Sequence, residues 1–574
     1  MTRARVGLYG PLLLFVLVQA LIVVGAPSRA PGQLEVGAAP DPIATQAPGD
    51  TDDGEPGTGA TAGTEAPGPG SPTGSGATPG GGGGVGPTTG PTSGPTSGPG
   101  GGGDTSHCSP DGRQTAILYY APPCAPKWEG GDNGGATWQG VTADTVTVAV
   151  FQEQRNEAVT QILAAEGLRE SRAAEDDYTA VFEDFLNEHF EFYGRRLELV
   201  PFPAPSCPET PPEPAPCTAE ANRLIQEVKP FAVIWPVPTY PEIFDIFAAN
   251  GVISLGGWHH DNSYFAGRRP FRWDVLMDGT RTAELVGEYY CKKMAGQMAT
   301  HTGRVIHRDI GLRGQVPRRL GILTPESDAH ERAAKRLAEV VAGCGDPQPP
   351  EIVLYSQNIV TATQQASANT QAFIAADVTT IVCLCDPIAP VFRTTNMTRN
   401  EYFPENLIAG SGLLDFDKIG RLYDKAQMAH AFGPSHLQVQ PPHSQSDASI
   451  VWRDQGRSGD ACGSCNLPAS YYQLIGTMIQ VAGPHLDPFT VERGMLALPD
   501  RGGWAESGRD PTKVLARFGS GDHTLVSDAK IVYWSNTASS TIDNRPGSWV
   551  PLDGGRRWTP GTFTSDFRIP VPAS

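Results

Sequence analysis

The sequence predicts an α/β molecule built as two doubly wound lobes in series. Short β-branched runs alternate with amphipathic helical patterns along most of the chain. That alternation is the signature of βαβ units, a mostly parallel sheet and helices on both of its faces. It occurs as two runs of about four strands each, separated by "FRWDVLMDGTRTAELVGEYY". Two doubly wound domains joined by a crossing leave a cleft as their natural product.

The first run opens at "GVTADTVTVAVF", and its strand-like stretches are "TVTVAVF", "RRLELVPF", "FAVIWPV" and "GVISLGG". Between them Tyr178, Val181, Phe182, Phe185 and Leu186 mark one helix face, and Ala221, Leu224, Ile225 and Val228 mark the next. The second run holds "RRLGILT", "EIVLYSQ", "TTIVCLC" and "NLIAGSG". A last helical block, "ASYYQLIGTMIQVAG", precedes the strand-like "AKIVYW".

Ahead of these runs the texture is different. "MTRARVGLYGPLLLFVLVQALIVVGAPSRA" places Arg3 and Arg5 before an uncharged, mostly apolar run, the pattern of a secretory n-region and h-region. Val24-Gly25-Ala26 supplies a small-residue cleavage site, while a run of ~20 residues is also long enough for a retained membrane anchor. Residues 1–26 are therefore a signal peptide or an anchor, and both readings export the rest of the chain. No cysteine lies near this segment, which excludes a lipid-modified N-terminal cysteine. Residues 27–107 are rich in Gly, Pro, Thr, Ser and Ala, as in "PGGGGGVGPTTGPTSGPTSGPGGGGD", and too poor in apolar surface to offset their ordering entropy. Such a linker spans ~50 Å as a coil and approaches ~250 Å when drawn out.

The net charge of -19 and the absence of a Lys/Arg cluster interleaved with aromatics argue against nucleic-acid binding. Export makes disulfides the first reading of the ten cysteines. Cys207 and Cys217 flank the stiff "PETPPEPAP"; Cys108 with Cys124 and Cys462 with Cys465 are expected partners. Cys291 and Cys344, each at or near a predicted helix end, are further disulfide candidates. Cys383 and Cys385 share one face of a predicted strand, an arrangement that opposes a bond between them.

The order of elements resembles the type I periplasmic binding proteins, in the branch that serves ABC transporters of branched-chain amino acids and amides. "GVTADTVTVAVF" is similar to the family's lead-in and first strand, "FRWDVLMDGTRTAELVGEYY" to its exit from the first lobe, and "RFGSGDHTLVSDAKIVYWS" to its close. The resemblance covers roughly 141–558. It implies two Rossmann-like lobes joined by a three-segment hinge, with the ligand held by loops at the carboxyl ends of the strands. The expected organisation is a Cys-containing preamble at 108–140, lobe I at 141–275 and about 430–500, lobe II at 276–429 and about 501–560, and a tail at 561–574.

Candidate contacts come from that placement. Phe151 and Gln152 succeed the first strand, and "PVPT" after the third ends in Thr239. After the fourth, "GGWHHDNSY" puts Gly256, Gly257, Trp258 and His259 where relatives hold a ligand carboxylate. Trp258 is suited to enclosing a ligand and His259, when protonated, to a carboxylate; exposed loop positions are the plainer alternative. In lobe II, Thr324, Glu326 and Ser327 stand where relatives often carry a tyrosine-glycine pair, and Ser327 or Asp328 can instead cap the next helix. Asp386 in "CDP" answers a ligand ammonium or serves a turn. Ser411 and Gly412 lie at a later cleft loop.

The sequence contains no Gly-x-Ser-x-Gly elbow, no His-Glu-x-x-His and no phosphate loop. "HHD" at His259 to Asp261 does not form a zinc site alone, and "CGSC" at Cys462 to Cys465 reads as a local disulfide before a redox site. The expectation is a non-enzymatic, extracytoplasmic solute-binding protein without cofactor or metal. It closes on an amino acid, amide or similar molecule for delivery to an ABC permease, and is tethered to the membrane if its N-terminal segment is kept. A ligand-sensing receptor module and an exported thiol-disulfide enzyme are the alternatives.

Overall fold

A computed structural model describes residues 103–564 except 211–213, 236–240, 258–259, 304–315, 347, 505–511 and 520. The expected export segment, nearly all of the linker, and tail residues 565–574 lie outside the described residues, as do Thr239, Trp258 and His259. Among the described residues no helix is long and apolar enough to cross a membrane. All described residues fall in one unit, Thr96–Ser574.

The first lobe is built on β1 (Thr145–Gln154), β2 (Arg196–Pro208), β3 (Ala232–Ile234), β4 (Ile253–Leu255) and β5 (Arg272–Trp273). These form one sheet in the order β2-β1-β3-β4-β5, with every pairing parallel. Side chains alternate across a strand, so Val146, Val148 and Val150 of β1 enter one core while Ala149 and Phe151 enter the other. Helix Arg172–His189 covers the first face through Tyr178, Phe182, Phe185 and Leu186, and helix Ala215–Glu227 covers the second through Ala221 and Leu224. These are the residues that helical periodicity assigns to buried faces.

The second lobe opens with a two-stranded ribbon, β6 (Met298–Ala299) and β7 (Val316–Pro317). Its main sheet, separate from this ribbon, contains β8 (Leu320–Pro325), β9 (Glu351–Tyr355), β10 (Thr380–Cys383), β11 (Glu405–Ile408) and β12 (Ala431–Ser435). It ends in β13 (Ala529–Ser539), β14 (Pro546–Pro551) and β15 (Arg557–Trp558). The order is β14-β13-β12-β11-β10-β8-β9 with β15 beside β13; pairings are parallel up to β12 and antiparallel beyond it. Leu320, Ile322, Val382 and Leu407 pack against helices Gly279–Lys293 and Asp328–Gly343; Leu323, Ile381 and Ile408 face Phe373 and Met397.

The chain passes between the lobes three times. The first crossing runs from Val275, in the lobe I core, to Met277, in the lobe II core. β12 belongs to the lobe II sheet, so the second crossing starts after Ser435 rather than near 430 and delivers helices Asp447–Asp454, Asn466–Ala482 and Pro488–Leu496 to the lobe I core. The third returns to β13, and Asp274 amide and carbonyl bonds to His523 and Leu525, at 3.0 and 3.1 Å, tie it to the first. Asp274 also accepts from the Tyr471 hydroxyl at 2.8 Å, and burial raises its pKa to about 6 against the pull of Arg272. The result is the two-lobed α/β arrangement with a three-segment hinge.

The expected disulfides Cys108–Cys124, Cys207–Cys217 and Cys462–Cys465 are present, and Cys291 pairs with Cys344. One expectation fails. Cys383 and Cys385 are bonded to each other. β10 ends at Cys383, so the chain is no longer extended when it reaches Cys385, and the Cα separation of 5.1 Å falls within disulfide reach.

Candidate ligand-binding cleft

Because β1 to β5 in lobe I and β8 to β12 in lobe II run parallel within their sheets, their carboxyl ends converge on the space between the lobes. A cavity of about 480 Å³ lies there, with walls from both lobes and from the crossings. On the lobe I side, Phe151, which lies with Gln152 inside β1 rather than after it because the strand continues to Gln154, stacks on Trp235, directly after β3, with ring centroids 4.3 Å apart and planes inclined by 27°. The Trp235 indole N–H donates to the Glu153 carboxylate. Burial first, then the neighbouring Glu209 carboxylate, push the Glu153 pKa up to about 7, against the pull of Arg172.

Arginines balance this acidic edge. Arg172 donates from Nη2 to the Glu153 carbonyl at 2.5 Å and from Nη1 to Glu175 at 3.0 Å, while Arg169 pairs with Glu209 and Arg155 with Glu175. On the lobe II side the wall is apolar: Pro387, Leu413, Phe416 and Ile419. His436, from the second crossing, also lines the cavity. It is 4 % exposed, neither ring nitrogen has a hydrogen-bond partner among the described residues, and burial lowers its pKa to about 4, leaving a neutral imidazole at neutral pH.

The lobes touch at two places. After β1 the chain leaves lobe I through helix Glu157–Ala164, and Leu163 and Leu168 pack against the lobe II core. Glu166 lies between them in sequence and is buried, accepting from Arg421 Nε at 2.8 Å and from Arg545 Nη1 and Nη2 at 2.8 and 2.9 Å. Elsewhere Asp261 of lobe I pairs with Arg332 of lobe II at 2.8 Å.

The sequence-derived candidates are distributed unevenly about this cavity. Phe151 and Gln152 line it, and the Gln152 amide donates to Asp176 at 2.6 Å. Gly257 is buried with φ 89°, and a Cβ there would come within 2.7 Å of the Arg272 guanidinium, which donates to the Gly256 carbonyl. Arg272 therefore occupies the space behind that loop. Thr324 is fully buried in the lobe II sheet, its hydroxyl 3.4 Å from the Leu384 carbonyl, and Glu326 is exposed; neither is in the cavity wall. Asp386 caps helix Ala389–Arg399 through the Ile388 and Ala389 amides at 2.8 and 3.0 Å, and accepts from the Tyr355 hydroxyl at 2.6 Å. The backbone of Ser411 opens a short helical turn that leads to Leu413; its side chain lies outside the described residues.

Trp235, Glu153, Arg169, Arg172, Phe416 and His436 are not among the contacts that sequence reasoning finds. Trp235 carries a usable signal, an aromatic residue directly at the end of the predicted strand "FAVIWPV". The others carry none, because nothing in their local pattern marks them as facing a cleft.

No family model and no curated protein matches the chain. Solved structures similar to it include an ABC-transporter solute-binding protein from R. palustris in complex with 4-hydroxybenzoate, at 12% identity and TM-score 0.48, covering 71% of this chain and 97% of that one. A leucine-binding protein from Thermotoga maritima is 13% identical at TM-score 0.45, with coverages of 71% and 97%. A branched-chain amino acid ABC-transporter protein from Thermus thermophilus with bound valine is 11% identical at TM-score 0.47, with coverages of 73% and 97%.

Proposed function

We propose that this chain, whose order of elements and two-lobed topology resemble the type I periplasmic binding proteins, is an exported solute-binding protein. Its lobes close over a small molecule, and the closed form is presented to an ABC-type permease in the membrane. The observation that supports this most is the cavity of about 480 Å³ walled by both lobes, which also meet through Glu166 and through Asp261. Closure brings the apolar wall of lobe II onto the aromatic and charged wall of lobe I. Only a ligand that touches both walls favours the closed state over the open one.

The walls favour a solute with an aromatic or branched apolar body and a hydrogen-bonding head. The Phe151–Trp235 pair and Phe416 suit the body; Glu153, the arginines and neutral His436 suit the head. Amino acids and amides fall within this class. In this reading the N-terminal segment carries the lobes outside the membrane, released after cleavage or held by the linker.

The test is a thermal-shift screen of the purified chain against amino acids, amides, short peptides and aromatic acids. A true ligand at ~100 times its Kd adds ~2.7 kcal/mol to stability. No saturable shift across such libraries would refute solute binding. A permease and an ATPase encoded beside the chain would separate delivery from sensing.

A further inference from the structure

A second, smaller cavity of about 90 Å³ lies next to the first, sharing Leu163, Glu209 and Pro387 with it. Its walls come from both lobes, and Arg393 of helix Ala389–Arg399 lies in them at 5 % exposure. Arg393 forms no ion pair among the described residues. Its Nη1 donates to Asn406 Oδ1 at 3.2 Å and approaches Met397 Sδ at 3.5 Å, while among the described residues Nε and Nη2 have no hydrogen-bond partner. A buried, uncompensated guanidinium is costly, and proteins ordinarily pair such a charge. Here burial lowers the Arg393 pKa to about 10, which leaves it protonated at neutral pH.

The groups that could neutralise it are engaged elsewhere. Asp386 is held by Tyr355 and by two backbone amides, and Glu209 by Arg169 and the Asn156 amide at 3.0 Å. The surrounding phenols also donate away from the guanidinium: Tyr402 to the Val378 carbonyl at 2.5 Å and Tyr423 to that of Pro387 at 3.1 Å. Meanwhile, among the described residues, Thr210 from the lobe I side has a buried hydroxyl without a hydrogen-bond partner, and Asn369, which lines the same cavity, makes no side-chain hydrogen bond. The Nε–Nη2 edge, without a hydrogen bond among the described residues, is the edge with which arginine binds a carboxylate side-on, through two parallel N–H···O bonds.

We propose that this cavity is an anion site that takes a compact carboxylate on the Nε–Nη2 edge of Arg393, with Thr210 and Asn369 as further donors. Because Thr210 belongs to one lobe and Arg393 to the other, the bound anion is a bridge that favours closure. The carboxylate is either a free small acid or the acid group of a longer solute whose body lies in the adjoining apolar cavity. In the first case the site is independent of what fills the larger space; in the second it rests on solute binding there.

The experiment titrates the full chain with sodium acetate and with sodium 4-phenylbutyrate, each against sodium chloride at equal ionic strength, and reads melting temperature and calorimetric heat. Saturable binding of acetate identifies a free small acid; saturable binding of phenylbutyrate alone identifies the acid group of a longer solute. In both cases Arg393→Met should abolish binding and Thr210→Val, which leaves the lobe II core intact, should weaken it roughly tenfold or more. Without anion, Arg393→Met should melt at or above the wild-type temperature, because it removes the uncompensated charge. No saturable response from either acid in the wild type overturns the proposal, as does a response of equal affinity in Arg393→Met. If neither acid binds, a solute found by screening that binds the wild type and Arg393→Met alike would overturn the anion site while leaving solute binding in the larger cavity standing.

Discussion

The two walls of the cleft are made of different chemistry. Lobe I presents the Phe151–Trp235 stack framed by Glu153, Glu209, Arg169 and Arg172, whereas lobe II presents Pro387, Leu413, Phe416 and Ile419. Charged groups on one wall are already paired with one another before any ligand arrives, so their positions are set in the lobe itself. The apolar wall needs no such setting. It contributes area once closure removes water. The contrast teaches that lobe I can discriminate among solutes while lobe II rewards closing over one.

Substitutions can break or sharpen that contrast. The largest effect is expected from Trp235→Ala, because Trp235 is 2 % exposed and closes the core beneath the stack as well as facing the cavity. A loss of about 3–5 kcal/mol should appear in denaturant unfolding. A loss well under that range would place the indole in the binding surface alone. Next comes Glu166→Gln, which removes the carboxylate joining lobe I to Arg421 and Arg545. Arg421 retains Asp543 at 2.6 Å, so a cost of about 1–2 kcal/mol to closure is expected. It should be read as weaker solute affinity without a matching fall in the stability of either lobe. Equal affinity would remove Glu166 from closure.

The smallest effect concerns pH. The native pKa of Glu153 is raised from its ordinary 4.5 to about 7, so the folded state holds this proton more tightly than the unfolded chain. Its contribution to stability is therefore complete below pH 4.5, declines as pH rises toward 7, and stays at its lower level above that. Asp274, raised to about 6, acts in the same direction. Glu153→Gln should flatten the decline between those limits without abolishing it, as measured by melting temperature against pH. An unchanged profile would show that Glu153 is solvated rather than desolvated in the cleft.

The lobes are legible in the sequence because helix and strand periods are local. Tyr178, Phe182 and Phe185 repeat at helical spacing, and Val146, Val148 and Val150 alternate in a strand, so their burial is set by neighbours in sequence. The cleft is only partly legible, because residues at strand ends face either the cleft or the core depending on distant elements. Phe151 and Thr324 both lie toward the carboxyl end of a parallel strand, yet Phe151 reaches the cavity and Thr324 is buried in the sheet core. Asp386 illustrates the same limit: its place after β10 suits a ligand ammonium, and the structure commits its oxygens to Tyr355 and a helix start. The reach of Leu163 and Leu168 onto lobe II has no sequence signature, since a short amphipathic helix does not state which lobe it covers. The Cys383–Cys385 bond escapes the sequence because the apolar run "TTIVCLC" continues two residues past the point where β10 ends.

The most direct measurement of inter-lobe binding is calorimetric titration of the best screening hit into the wild type and into Phe416→Ala. Phe416 lines the cavity from the lobe II side and is only partly buried, so its truncation should spare the folded lobe. One-to-one binding by the wild type, weakened about tenfold or more by the lost apolar contact, with little change in the ligand-free melting temperature, is the expected result. Undiminished affinity in Phe416→Ala would contradict binding between the lobes.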